Sequence, residues 1–164
     1  MNSRIEPSEF DMNLFSSQTE SMTQLLNQFL NTLDLETEAI KKNLTQQLID
    51  ASSHKSDLAN QIEEKNQTLN SMLEKSNVTL DSLPDSSIFN TLPTEIQNNT
   101  LALIKLIQNC HDKNLANGMS IQMLSNINQH ALDLMSGKPK DDAKLYSSSG
   151  EKTRSGYQSS LGKA

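Results

Sequence analysis

"DMNLFSSQTESMTQLLNQFLNTLDLETEAIKK", residues 11–42, decides the fold. Phe15, Met22 and Phe29 recur every seven residues, with Leu26, Leu33 and Ile40 interleaved. Steps of three and four that sum to seven place these side chains on one side of an α-helix, as an a/d seam sustained across nearly the whole segment. A strand would alternate with period two, and this segment does not. The segment therefore predicts a long helix whose apolar stripe must be covered by other helices.

Working downstream, "KKNLT" at 41–45 offers a break: Asn43 can end the first helix and Thr45 can cap a second. The next stretch, 45–77, carries Leu48, Ala51, Leu58, Ile62, Leu69 and Met72 on one seam. Lys55 and Lys65 fall on the same seam. Two readings are open for them: stems packed with the ammonium groups reaching water, or cations that fix register or pair with a partner's acid. "LDSLPDSSIFNTLP", residues 80–93, lies in a connector spanning 78–93, whose Ile88, Phe89 and Leu92 are expected to tuck against the helices. A third helix is predicted over 94–137, about 65 Å long at 1.5 Å per residue. Prolines stand only at 7, 84, 93 and 139, and no glycine precedes 118, so punctuation agrees with these divisions.

Composition supports helices over a mixed core. Of 164 residues, 34% are hydrophobic, 4% aromatic and none is Trp, which is thin for a sheet-containing domain but enough for narrow helical seams. The expected architecture is all-α: an elongated, antiparallel, coiled-coil-like bundle of about three long helices over 1–137, followed by a flexible tail over 138–164. Through Gly137 there are 8 basic and 17 acidic residues; beyond it there are 6 basic and 3 acidic. An acidic body with a mildly basic tail excludes the basic face of a nucleic-acid-binding domain. The N-terminus lacks a signal-peptide pattern and no stretch approaches the ~18 apolar residues of a membrane span, so a cytoplasmic protein without stable membrane insertion is expected. In that setting the N-x-[ST] matches at Asn43, Asn66, Asn77 and Asn98 carry no weight.

Catalytic constellations are not found. His54, His111 and His130 are far apart and none stands in E-x-x-H or H-E-x-x-H spacing, so no metal site is assigned. "GEKTRSG", 150–156, lacks the G-K-[ST] of a phosphate loop. Cys110, the one cysteine, reads as a small core residue and cannot form an intramolecular disulfide. No cofactor and no enzymatic activity are expected.

The third helix is unusual near its end. Ile96, Leu103, Ile107, Cys110, Ile121, Leu124, Ala131 and Met135 form one seam, interrupted by Asn114, Asn117 and Asn128. After Gly118 a second stripe opens with Met119, Met123, Ile127 and Leu134. A helix in a small bundle needs one apolar face, so the second stripe needs a cover: the middle of the bundle, a second copy in a homodimer, or another partner. Methionine suits a surface that adapts to a partner, and Gly118 lets a backbone approach closely.

"NLANGMSIQMLSNINQHALDLMSG" (114–137), "KLYSSSGEKT" (144–153) and the closing "SLGKA" (160–164) resemble, together, the FlgN-type flagellar export chaperones. In that family a long helix carries N-x-x-N-G and then N-x-x-A-L, and the tail carries L-Y-G-x-x-G. Here Asn114, Asn117, Gly118, Asn128, Ala131, Leu132, Leu145, Tyr146 and Gly150 take those places. Ser147 departs from the family, which often has glycine there, and this bears on the turn around Tyr146. Detailed similarity covers about 114–164. The resemblance implies a non-enzymatic cytoplasmic chaperone that binds the terminal helical segment of the hook–filament junction proteins FlgK and FlgL, prevents their premature polymerisation and delivers them to the flagellar type III export gate. By that resemblance, Asn114, Asn117, Gly118, Met119, Ile121, Met123, Leu124, Ile127, Ala131, Leu132, Leu134 and Met135 are the candidate client-binding residues. Leu145, Tyr146 and Gly150 are the candidates for docking at the export gate. The competing expectation is a structural or adaptor coiled coil that self-associates through the same seams without a secreted client.

Overall fold

The computed structural model describes residues 11–74 and 76–137. Three long helices make up the described chain: α1 (Met12–Lys42), α2 (Thr45–Glu74) and α3 (Thr94–Met135), with no strand among the described residues. The chain divides into two compact units, Met1–Asn126 and Ile127–Ala164. In the second, the described part is the last turns of α3 and the two residues after them. The tail expected over 138–164 lies outside the described residues.

Local chemistry sets the ends. Asp11 caps α1 by accepting the Leu14 N–H on its carboxylate at 2.9 Å, satisfying one of the unpaired amides of the first turn. Asn43 ends α1 in the left-handed conformation (φ 52°, ψ 44°), and its N–H donates back to Ile40. Asparagine tolerates that region better than most side chains, which is why the helix stops there. Lys41 and Lys42, in the last turn, pair with Glu38. Asn77 repeats the device after α2, with φ 51° and its N–H on the Glu74 carbonyl. As a result α2 ends at Glu74, three residues before the expected Asn77.

Within the first unit, α1 and α2 form an antiparallel hairpin. Glu36 meets Lys55, and Gln18 meets Lys65, so one number rises as the other falls. α3 runs parallel to α1: Cys110 lies at the Leu26 carbonyl and Asn117 at the Leu33 carbonyl, both advancing by seven. The core is the set of seams read from periodicity. Phe15, Met22, Leu26, Phe29 and Leu33 of α1, Leu58, Leu69 and Leu73 of α2, and Leu103 and Cys110 of α3 are all buried in one cluster. Leu73 rather than Met72 takes the innermost place at the end of α2; Met72 packs at its edge.

The connector closes the base of this unit. Leu80, Leu83, Phe89 and Leu92 are buried in the same core, Ile88 is half-buried, and two short 3₁₀ turns (Leu83–Asp85 and Phe89–Thr91) carry the chain between them. Gln97 of α3 donates to the Phe89 and Leu92 carbonyls at 3.0 and 2.9 Å, tying the connector to the helix it feeds.

One buried polar cluster joins all three helices. Glu36 is fully buried; Lys55 of α2 donates to its Oε1 at 2.6 Å and Asn117 of α3 donates to its Oε2 at 2.9 Å. Asn117 also donates to the Leu33 carbonyl at 2.9 Å and accepts from the Thr37 hydroxyl at 2.9 Å. Of the two readings open for Lys55, pairing with an acid is the one realised, and the acid belongs to α1 of the same chain. Lys65 donates to Gln18 at 3.0 Å. A buried charge is tolerated where every lone pair finds a donor, and no buried side-chain nitrogen or oxygen among the described residues is left without a partner.

Candidate functional site

α3 is built with two unlike sides. Facing α1 and α2 are Leu103, Cys110 and Asn117, all buried, with Ile107, Ile121 and Leu124 half-buried. Burial raises the Cys110 thiol above its ordinary value, because a thiolate there would lose its water. At about 100° per residue, Leu115, Met119 and Met123 fall within about 80° of one another, and Cys110 and Asn117 lie roughly opposite them. These three outward side chains are 56%, 67% and 66% exposed. The steps of four between them make a continuous ridge.

Beside the ridge is a shallow open depression lined by Asn114, Leu115, Gly118, Met119, Gln122, Met123 and Asn126. Its floor is Gly118. A Cβ placed there would meet nothing within 4 Å, so none of the described residues presses on it. Glycine in a helix interior costs about 0.5–1 kcal/mol relative to alanine, and packing among the described residues gives nothing in return. No lining residue carries a charge. Gln122 donates its amide to Asn126 at 3.2 Å, which orders two carboxamides along the rim.

The candidate residues therefore separate. Asn114, Gly118, Met119 and Met123 are all exposed and all line the depression. Ile121 and Leu124 are half-buried on the inward side. Asn117 is buried and bonded into the polar cluster, so its side chain holds α3 to α1 and is not offered outward. In the second unit, Ile127, Ala131, Leu132, Leu134 and Met135 are exposed, on more than one side of the helix. Leu145, Tyr146 and Gly150 lie outside the described residues. Leu115 was not among the expected residues; its signal is the step of four to Met119, hidden because Gly118 stands between the two.

Among the described residues no group of three or more His, Cys, Asp or Glu side chains could hold a metal ion, and no helix is long and apolar enough to cross a membrane. His54 and His111 of the first unit and His130 of the second are exposed, and His111 pairs with the adjacent Asp112 at 3.3 Å.

No curated protein and no solved structure matches the chain significantly. A family does: residues 14–154 match FlgN, described as the FlgN protein family. The match covers α1 from Leu14 on, α2, the connector and α3, and runs on past the end of α3. The chain belongs to the FlgN family of flagellar export chaperones.

Proposed function

We propose that this protein holds the terminal helix of a hook–filament junction subunit, FlgK or FlgL, on the outward side of α3, and keeps it from polymerising before export. The observation that carries the reading is the exposed ridge Leu115, Met119 and Met123, on the side of α3 opposite its buried seam. Junction subunits assemble through amphipathic terminal helices, and such a helix is sequestered when its apolar side lies against another apolar face, a helix-in-groove mode. Methionines serve this well: their thioether side chains are flexible and polarizable and can repack against different clients. In the second unit, Ile127, Leu134 and Met135 are exposed as well. No nucleotide is needed, because a client held by surface burial can be released by competition at the export gate. Delivery to that gate is assigned to 138–164, through Leu145, Tyr146 and Gly150. The protein acts in the cytoplasm, where its clients are made.

The test is a pair of substitutions on the ridge. Met119→Asp and Met123→Asp each place a carboxylate on a surface that is already exposed, so stability should move by no more than about 0.5 kcal/mol. Capture of full-length FlgK or FlgL should fall at least about tenfold, the scale of 1.4 kcal/mol. Undiminished capture by both folded variants would remove the ridge from the binding surface. A tight homo-oligomer with no affinity for either subunit would favour the self-associating coiled coil instead.

A further inference from the structure

The depression at Gly118 says something about the chemistry and the angle of what docks there, and this rests on the client reading above. Glycine weakens the interior of α3, yet a Cβ at this position would touch none of the described residues. The missing side chain therefore serves contact from beyond the described helices. Its place in the surface pattern is specific. Leu115, Met119 and Met123 form one row of steps of four; Asn114, Gly118, Gln122 and Asn126 form the next. Gly118 lowers the second row in its middle and leaves a notch flanked by Leu115 and Met119 on one side and by Gln122 below.

Rows of this kind set crossing geometry. When rows of step four on two helices interdigitate, the axes cross near −50°, whereas a side-by-side coiled coil near +20° needs seams of step three and four. Around Gly118 the outward side of α3 has no apolar heptad: the positions seven before and after Leu115 are Gln108 and Gln122, and those around Met119 are Asp112 and Asn126. Charge is the second constraint. The body of the chain is acidic, but all seven lining residues are uncharged, and three are carboxamides. A partner bearing charge on its contact face would bury it against amides with no counter-ion, a costly arrangement.

We infer that the occupant of this face is a single amphipathic helix that crosses α3 obliquely at Gly118, seats an aliphatic side chain in the notch, and meets the carboxamide rim with uncharged hydrogen-bonding side chains. Recognition then comes from apolar contact and amide hydrogen bonds and not from ion pairs. A second copy of this chain, approaching Gly118 to Gly118, is the competing occupant.

The experiment titrates the full chain with purified full-length FlgK and FlgL from the same cells, at about 0.05 M and about 0.5 M NaCl. Between those limits the screening length falls from more than 10 Å to a few ångströms, so ion-pair recognition would weaken strongly. The expected change in Kd is less than about threefold. Gly118→Leu should weaken binding at least about tenfold while leaving the melting temperature equal or higher, because leucine is the better helix former. Gln122→Glu should weaken binding and make it salt-dependent. A Kd that rises tenfold with salt in the unaltered chain, or a Gly118→Leu chain that binds as well as the original, overturns the inference while leaving the client reading standing. No binding to either subunit at any salt, with a dimer that Gly118→Leu dissociates, overturns both.

Discussion

The buried cluster of Glu36, Lys55 and Asn117 allows a prediction whose sign depends on how it is perturbed. Asn117→Ala deletes two donated bonds and one accepted bond, each 2.9 Å long. The Thr37 hydroxyl, which has one proton to share between Asn117 and the Leu33 carbonyl, gives it wholly to Leu33 at 2.8 Å in the variant, so the loss at that carbonyl is partial. Glu36 loses the only donor to its Oε2 that the cluster provides and remains fully buried with Lys55 alone. A bond to a charged group counts for about 1.5–3 kcal/mol and a neutral one for about 1 kcal/mol. With partial compensation at Leu33 the variant should lose about 2–4 kcal/mol. For a chain of this size each kcal/mol moves the melting temperature by about 2–4 °C, so a drop of roughly 5–15 °C is expected by circular dichroism. The triple variant Glu36→Leu, Lys55→Met, Asn117→Leu should behave oppositely. Replacing a whole buried ionic cluster with apolar side chains of similar volume is often neutral or stabilising by about 1–4 kcal/mol, because desolvation is then no longer incurred. Urea unfolding of both variants tests the pair. An Asn117→Ala chain within about 0.5 kcal/mol of the original, or a triple variant as weak as the single, would refute the reasoning.

Three further outcomes follow from the same structure. Gly118→Ala should raise stability by about 0.5–1 kcal/mol, since the new methyl meets nothing and the helix gains propensity; a lower melting temperature would mean that something in the chain does press on this position. Leu103→Ala removes a fully buried side chain from the α3 seam and should cost about 2–5 kcal/mol in urea unfolding. Cys110, whose thiol burial holds above its ordinary 9.0, should react slowly with a thiol reagent in the folded chain and quickly in denaturant. The raised value also has a pH sign. The folded chain keeps a proton that the unfolded chain gives up, so the contribution is whole below 9.0 and is lost as pH rises through the folded value. Stability should therefore decline on the alkaline side, and Cys110→Ala should flatten that decline.

The helices were legible in the sequence because their cores repeat. Phe15, Met22 and Phe29 are seven apart and all three are buried; the break at Asn43 is legible because asparagine tolerates the left-handed conformation that ends a helix. The outward stripe at Met119 and Met123 was legible from the turn of about 100° per residue, since positions nine and thirteen beyond Cys110 fall on the opposite side of the helix. The polar cluster was not. Glu36 stands in the next seventh place after Phe29, where periodicity calls for an apolar residue, and its partners lie 19 and 81 residues away. Period places a residue on a face; it does not say which members of three faces meet at one level. Asn117 illustrates the difference. Its family motif marks it for client contact, while its side chain is turned inward onto α1, leaving its neighbour Gly118 to face outward.

The division of α3 into an inward and an outward side gives the account its central claim: the outward side exists for a partner's helix. The most direct measurement is titration calorimetry of the full chain with FlgK and FlgL, each intact and each lacking its terminal helix. The account predicts one-to-one binding to an intact subunit, with a negative heat-capacity change from apolar burial, and loss of binding on removal of the helix. Equal affinity for intact and truncated subunits, or heat only from self-association of the chain, would contradict it.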